Sequence, residues 1–536
     1  MNGVRLLPMG ERALLAEVRS LDAVLALHAR LETSRIDGVV DLVPAARTVL
    51  IRVDPTTLTL AATRAWVQRN AEVLDTPVSG RAHQQVVDLD IAYDGPDLCD
   101  TAELLGIPVE ELVRRHSTAE WTVAFTGFAP GFGYLVSPDW SFDVPRLDTP
   151  RTRVPAGAVG LAAGFTGAYP RETPGGWRLI GTTSARLFDP DAAAAASASL
   201  LAPGTPVRFR PRAPTPSGGP SSPPRDGAEP PQSRGGDEVS VSGAAPVRGI
   251  RIVEPGLSAT VQDLGRPGVA SLGVANSGAL DRGALRIANR LLGNRENAAA
   301  IEVTMGGLRA VAERDVWFAI AGAWGPLRLA DREVDPYQAH LWHAGEVLHV
   351  DWFAHGVRAY LALRGGVDAR TVLGSKSTDV MAGLGPERLT AGMPIGVSGD
   401  AVRPIPATQL VPWGAPQDDE IELALAGGPR ADWFESSASR TLFESTWIAS
   451  NDSDRVGMRL DGPQLPRTRT RELPSEGMVV GALQVPPSGR PTILLADGPV
   501  TGGYPVIAVV SDASLDQLGQ ARPGTRIRFR HARPTA

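Results

Sequence analysis

Glycines at 157, 160, 164, 167, 175, 176 and 181 punctuate the stretch 150–190, PRTRVPAGAVGLAAGFTGAYPRETPGGWRLIGTTSARLFDP, separating short apolar pairs such as Val159/Leu161 and Leu179/Ile180. Glycine inside a helix costs about 1 kcal/mol relative to alanine, whereas it reaches the positive φ of tight turns without strain. The spacing therefore predicts short strands joined by turns, a small β-barrel. Just upstream, FTGFAPGFGYL (125–135) sets Phe125, Phe128, Phe132 and Tyr134 among Gly127, Pro130, Gly131 and Gly133. Rings on a loop so bent either wall a ligand pocket, with the Tyr134 hydroxyl at its edge, or plug the barrel end.

With 536 residues the chain exceeds one ordinary core, which predicts about two to four domains. A composition of 43% hydrophobic and 21% charged residues is that of a soluble globular protein. The net charge of -6, without long runs of either sign, gives no case for nucleic acid or a membrane surface as partner. Residues 1–18 interleave apolar positions with Arg5, Glu11 and Arg12, and no apolar run is long enough to span a membrane, so the expected location is the cytoplasm. Cys99 is the only cysteine, which excludes an internal disulfide and a cysteine zinc site. Lys376 is the sole lysine.

Taken in order, residues 1–82 read as a small α+β unit, with strands at 13–18 and 47–53 and helical apolar spacing at 21–31 and 60–74. From 83 to 210, a strand at 86–93 leads to Asp100 as a helix N-cap and two short helices around Pro108, ahead of the aromatic loop and the barrel. His116 closes that helical pattern, where a lone histidine satisfies the helix dipole or faces solvent. Residues 211–247 are dense in Pro, Gly and Ser and read as a tether. The second half divides into β subdomains at 248–405 and 406–536, with a helix from about Asp281 to Leu292. TPGGWRLIG (173–181) and VTGGYPVIAVV (500–510) share a GG, aromatic, xxI pattern, a hint that barrels recur.

FTGFAPGFGYL, PRTRVPAG, TGAYP and TPGGWRLIG resemble, in order and spacing, the B-subunit family of 5-oxoprolinase, also called allophanate hydrolase subunit 1 and the sporulation kinase-inhibitor family. TVQDLGRPG, SGALD, ALRIANRLLGN, IEVTMGG, RAYLALRGGVD, VLGSKSTD, DRVGMRLDG, SEGMVVGALQVPPSG and TGGYPVIAVV resemble the C-subunit family, also called allophanate hydrolase subunit 2, from about 250 to 530. The resemblance implies cyclophilin-like barrels, so the expected class is α+β and mostly β, a small N-terminal α+β unit followed by β-barrel domains. It also implies ATP-dependent hydrolysis of 5-oxo-L-proline to L-glutamate, with ATP and Mg2+ as cofactors, a separate partner resembling the A subunit of 5-oxoprolinase, and a homo-oligomer. Two alternatives share these folds: a carboxyltransferase module of a urea carboxylase or urea amidolyase system, and a non-enzymatic histidine-kinase inhibitor. The chain departs from the B-subunit pattern at Phe165, Thr182 and Gly133, where glutamine, arginine and a stiffer turn are expected.

An unactivated lactam opens at neutral pH through a strong nucleophile or through conversion of its carbonyl oxygen into a better leaving group, which phosphorylation achieves. Arginines to hold anions and a carboxylate to move a proton are then the required parts. No GxSxG elbow or cysteine nucleophile context is present. At the matching motif positions, Asp263, Arg266 and Asp281 are the catalytic candidates, Arg266 and Arg153 as anion contacts and Asp263 or Asp281 as base or Mg2+ ligand. Phe128, Phe132, Tyr134, Arg153, Thr166, Tyr169, Trp177, Gln262, Ser277, Gln484, Thr501 and Tyr504 are the substrate-contact candidates. The GSKST turn lacks the first glycine of a phosphate loop, yet Ser375, Lys376 and Ser377 offer hydroxyls, a cation and backbone N–H groups to a phosphate. His340, His343, His349 and His355 lack zinc spacing, so no zinc site is expected among them. An Asp or Arg beside glycine in a turn equally caps the loop.

Overall fold

The glycine-rich stretch forms strands: Ala158–Ala162, Phe165–Ala168 and Arg178–Thr182 run in one sheet, and Arg151–Val154 and Thr173–Gly175 form a two-stranded ribbon beside it. The computed structural model describes residues 3–72, 85–213, 248–399, 402–407, 411, 414–417 and 419–533. The expected tether beyond residue 213 and the expected boundary at 82/83 lie outside the described residues.

The sheet holds seven strands, in the order Arg178–Thr182, Ala158–Ala162, Phe165–Ala168, Gly133–Val136, Trp121–Thr126, Pro206–Pro211, Val87–Ile91. Ala92 and Thr182 exchange backbone hydrogen bonds of 2.9 and 2.8 Å, which joins the two edge strands and closes the barrel. Closure removes the exposed edges that an open sheet would carry. The second half ends in a closed barrel of Glu420–Gly427, Arg526–His531, Trp447–Ala449, Gly457–Asp461, Thr492–Leu494, Ala482–Gln484 and Val506–Val510. The two barrels have the same strand order: in each, the last strand runs parallel to the first and antiparallel to the second. Each also carries a two-stranded ribbon at the matching place, Arg151–Val154 with Thr173–Gly175 and Glu476–Gly477 with Thr501–Gly502. The short GG-aromatic match therefore falls on the same strand of two equivalent barrels.

Around these barrels lie two other modules. Arg5–Pro8, Ala13–Glu17, Thr48–Val53 and Val39–Pro44 form a four-stranded sheet backed by the helices Leu21–Thr33 and Leu60–Glu72. In residues 248–399, a seven-stranded and a five-stranded sheet share one core that includes Ile252, Val303, Phe318, Trp342 and Leu361. Helix Arg282–Leu291 packs Leu285, Ala288 and Leu291 against Ala319, Tyr360 and Ala362 on the other face of the five-stranded sheet.

The N-terminal sheet docks on the second barrel, mixing Leu7, Met9, Leu15 and Leu50 with Met478, Ala482, Val506 and Val509 in one cluster. Buried Arg430 donates to Glu476 and, across the two halves, to Glu17 at 2.8 Å. Such a pair cannot lose one partner without leaving an uncompensated buried charge.

Two local expectations are corrected. The helix N-cap is Asp97, not Asp100, and its carboxylate serves the barrel instead, accepting from Leu179 N at 2.7 Å and Arg151 at 2.6 Å. His116 is fully buried among Trp121, Trp140 and Phe209, bonded to the Tyr93 hydroxyl at 2.7 Å and Thr166 Oγ1 at 2.8 Å. Helix Val109–Thr118 turns it inward because its apolar face, with Leu112, covers the barrel core.

Burial pushes the His116 pKa down to about 3. The unfolded chain takes up a proton at this residue near the ordinary histidine value of 6.5, and the folded chain refuses it. Stability is therefore complete above that value and falls as pH drops toward 3, by about 1.4 kcal/mol per unit. Urea titrations at pH 7 and pH 5 are expected to show a loss of about 2 kcal/mol that His116→Phe does not show. Parallel pH dependences in the two proteins would refute this assignment.

Candidate functional site

The aromatic bend and the loop after Gln262 are held together by contacts that only glycine permits. Gly131 N donates to Leu272 O at 2.9 Å, and Thr126 Oγ1 donates to Ser271 O. A Cβ on Gly273 would stand 2.6 Å from Ala129 O, and one on Gly127 would stand 2.1 Å from Thr501 Oγ1. The close approach leaves Phe128 in the left-handed region, φ 66°, with its ring over a 260 Å³ pocket. Residues 128–130 and 171–174 of the first half face Gly273, Ala275, Asp379, Met381 and residues 497–500 of the second across this pocket.

A larger cleft of 1340 Å³ opens between the two β modules of the second half, lined by Thr260, Arg358, Arg388, Arg455, Gln484, Arg490 and Tyr504 among others. Met381, Asp497 and Pro499 line both cavities and form their common wall. The loop at 450–456 in this cleft is the second barrel's counterpart of the aromatic bend, since each joins the second strand of its barrel to the third.

Behind that wall lies a buried polar network. Arg455 donates to Asp497 Oδ2 at 2.8 Å, to Glu302 Oε1 at 2.6 Å and to Gly278 O at 2.6 Å. Burial opposes its charge, but Glu302 and Asp497 outweigh burial and hold its pKa above the usual arginine value. Tyr360 donates to Glu302 Oε2 at 2.7 Å and accepts from Asp281 N at 2.9 Å. Ser277, at φ 52°, donates to Asp497 Oδ1 at 2.7 Å. A non-glycine residue in this region is strained, so Phe128 and Ser277 are positions where the surroundings override local preference.

Arg266 is 1% exposed; its Nη2 donates to Ser377 O, while Nε and Nη1 have no hydrogen-bond partner. Burial lowers its pKa, partly offset by Asp379, Asp263 and Asp497. Gln262 donates to Thr260 Oγ1 at 3.1 Å and Thr378 O at 3.0 Å, and its Oε1 has no partner. Asp379 accepts from Ala382 N at 2.8 Å through Oδ1, and its buried Oδ2 has no partner. Burial, then Asp497, pushes the Asp379 pKa up to about 6. Unpartnered buried polar atoms each cost about 1–3 kcal/mol. Three such residues within one loop cluster mark it as a ligand site.

Several expected roles change. Asp263 Oδ1 accepts from Gly265 N, Ser375 Oγ and Ser377 Oγ, and Oδ2 accepts from Lys376 N at 2.7 Å. The donors expected to cradle a phosphate thus already hold an internal carboxylate, while Lys376 Nζ turns away to Ser398 Oγ at 2.6 Å and Val367 O at 3.2 Å. Asp281 caps helix Arg282–Leu291, its carboxylate accepting from Ala284 N at 2.8 Å and Gln520 Nε2 at 2.7 Å. Burial foremost, then Asp516, pushes its pKa up to about 7. Both carboxylates thus serve internal donors, Asp281 at its helix N-terminus and Asp263 in the 375–378 turn, and Asp263 also lines a 160 Å³ pocket with Lys376.

In the first barrel, Phe132, Tyr134, Tyr169 and Trp177 pack edge to face, and Tyr134 stacks on Phe125. They do not plug the barrel: they pack with Val154, Ala158, Ala162 and Leu179 on the outer face of its strands, apart from the core of Val159, Leu161, Ala168 and Ile180, and only Phe128 of these rings reaches the pocket. Phe165 joins this outer cluster against Phe125 and Tyr134, and Thr182 donates to Asp94 at 2.9 Å. Thr166 is sealed behind His116, and Arg153, with a 76% exposed side chain, pairs with Glu172 at 2.6 Å. Thr501 wedges against Gly127, while Gln484 and Tyr504 line the large cleft. Reasoning from sequence misses Asp379, Arg455 and Asp497. DRVGMRLDG and VLGSKSTD hold Arg455 and lead up to Asp379, but nothing local in those motifs says which side chain is left without a partner.

Two equivalent barrels, joined through loops that share a cavity wall, define the class of protein. The family described as "Carboxyltransferase domain, subdomain C and D" matches residues 4–198, and "Carboxyltransferase domain, subdomain A and B" matches 272–531. The chain is 40% identical over 286 residues to the C subunit of 5-oxoprolinase from Escherichia coli K12, covering 52% of this chain and 90% of that one. It is 38% identical over 180 residues to the B subunit of 5-oxoprolinase from Escherichia coli O157:H7, covering 33% and 79%. The urea amidolyase of Lachancea kluyveri is 31% identical over 309 residues, 52% of this chain and only 16% of the amidolyase. The crystal structure of TTHA0988 superposes with a TM-score of 0.80 at 35% identity, covering 97% of this chain and 99% of that one. The chain belongs to the family of 5-oxoprolinase B and C subunits, with a part of each kind in one polypeptide.

Proposed function

We propose that the chain is the fused B and C component of an ATP-dependent 5-oxoprolinase of the cytoplasm, converting 5-oxo-L-proline to L-glutamate together with a separate protein of the A-subunit type. The observation that carries this reading is the pocket lined by both halves, whose wall includes Asp379 with a buried carboxylate oxygen that has no partner. The names of the relatives support the substrate. In this reading the chain binds and orients the lactam and excludes water from it. ATP, which activates the carbonyl oxygen, and its Mg2+ come with the partner protein. The donors of the expected phosphate turn already serve Asp263, which supports the partner as the holder of the nucleotide.

Mixing the purified chain, the A-type partner and ATP is expected to release glutamate above the single-component controls; no excess sinks the reading. Arg266→Ala is expected to lower turnover about 100-fold. Because the side chain is buried and bonded to Ser377 O, the same substitution should also lower the melting temperature, so turnover is compared well below that temperature, where the variant is folded. Full activity with lowered stability would make Arg266 a structural residue.

A second reading, a urea carboxylase-type carboxyltransferase, is favoured by the likeness of the second half to urea amidolyase. Carboxyl transfer from a biotin-loaded carrier to urea, measured with the same preparation, separates the two.

A further inference from the structure

We propose that the 260 Å³ pocket between the two halves binds a small cyclic amide bearing a carboxylate, with the amide N–H donated to Asp379 Oδ2 and the carboxylate held at the mouth by Arg171. The proposal rests on the preceding reading and assigns the place and polarity of binding. A volume below the roughly 300–1,000 Å³ of drug-sized sites suits a ligand of about ten heavy atoms. Phe128, Pro130, Ala275 and Val500 give it apolar walls for a ring.

The charged groups at the pocket are not equivalent. Asp497 is committed to Arg455 and Ser277. Glu172 is paired with Arg153 at 2.6 Å. Arg171 makes no ion pair among the described residues; its Nη2 donates to Met381 O, a bond that reaches from one half to the other. One guanidinium at the mouth is thus left for an external anion, and its fork matches a carboxylate. Within the pocket, Asp379 is 1% exposed, uses only Oδ1, and has an oxygen that rewards any donor brought to it. Burial, then Asp497, raises its pKa to about 6, and an aspartate side chain keeps an oxygen that accepts an amide N–H in either protonation state.

Calorimetric titration of the full chain with 5-oxoproline, 2-pyrrolidinone and cyclopentanecarboxylate tests both contacts. Asp379→Asn is expected to weaken 5-oxoproline and 2-pyrrolidinone about tenfold and to spare cyclopentanecarboxylate. Arg171→Ala, at the rim where folding is not at risk, should weaken 5-oxoproline and cyclopentanecarboxylate about tenfold and spare 2-pyrrolidinone. Equal effects on all three ligands, no effect, or no binding to the wild-type chain overturns the proposal. Reconstituted turnover with KM unchanged in both variants would sink the pocket and leave the oxoprolinase reading standing. The selective binding pattern without turnover would do the reverse.

Discussion

Arg455→Met is expected to destabilise the protein by about 3–5 kcal/mol, read as a lowered urea midpoint at constant slope. The guanidinium holds Asp497 and Glu302 at once, deep behind the large cleft. Removing it leaves two buried carboxylates answered by Ser277, Tyr360, Leu280 N and, 3.8 Å from Glu302, Arg358. The carboxylates are then forced toward protonation, so the loss should shrink as pH is lowered. Adding Glu302→Gln and Asp497→Asn to the variant is expected to restore part of the stability, because a network removed whole costs less than one broken at a single member. A single variant as stable as wild type would show that the three groups do not act together. Turnover should fail in both, since Asp497 forms the wall between the two cavities.

Asp263→Ala is the second large effect. Its carboxylate gathers Gly265 N, Ser375 Oγ, Ser377 Oγ and Lys376 N, and hydrogen bonds to a charged acceptor contribute about 1.5–3 kcal/mol each when formed. Without it the 375–378 turn loses its centre, and with that turn go Ser377 O and Thr378 O, the acceptors of Arg266 and Gln262. Stability and turnover are expected to fall together, by several kcal/mol and to background respectively. Formate at tens of millimolar should recover part of the stability by entering the vacated anion position. No rescue, together with a stable variant, would mean that the turn holds its shape without an anion.

These two residues show how far local pattern reaches. The motif around Asp263, Arg266 and the GSKST turn is legible as an anion site, and an anion does sit there. That the anion belongs to the chain is not legible, because Asp263 and Ser375 stand 112 positions apart and no spacing rule relates them. His116 meets the same limit: a helix terminus predicts solvent or dipole, and only the barrel beneath explains a buried neutral imidazole. From residue types the aromatic bend is either pocket wall or barrel plug, and the fold gives a third outcome for most of it, with Phe128 at the pocket and Phe132 and Tyr134 packed on the outer face of the barrel strands.

By itself the sequence determined the strands and turns, because glycine spacing and apolar alternation act over a few residues, and it determined the kinship of both halves through ordered motifs. The tertiary structure alone decided that the two barrels share one topology and which loops face each other. It alone decided which polar atoms were left without a partner: Arg266, Asp379 and Gln262 are ordinary turn residues until every neighbour's hydrogen bonds are accounted for. Partnerlessness is a property of a closed neighbourhood, and a neighbourhood assembled from segments hundreds of positions apart exists only once the chain is folded.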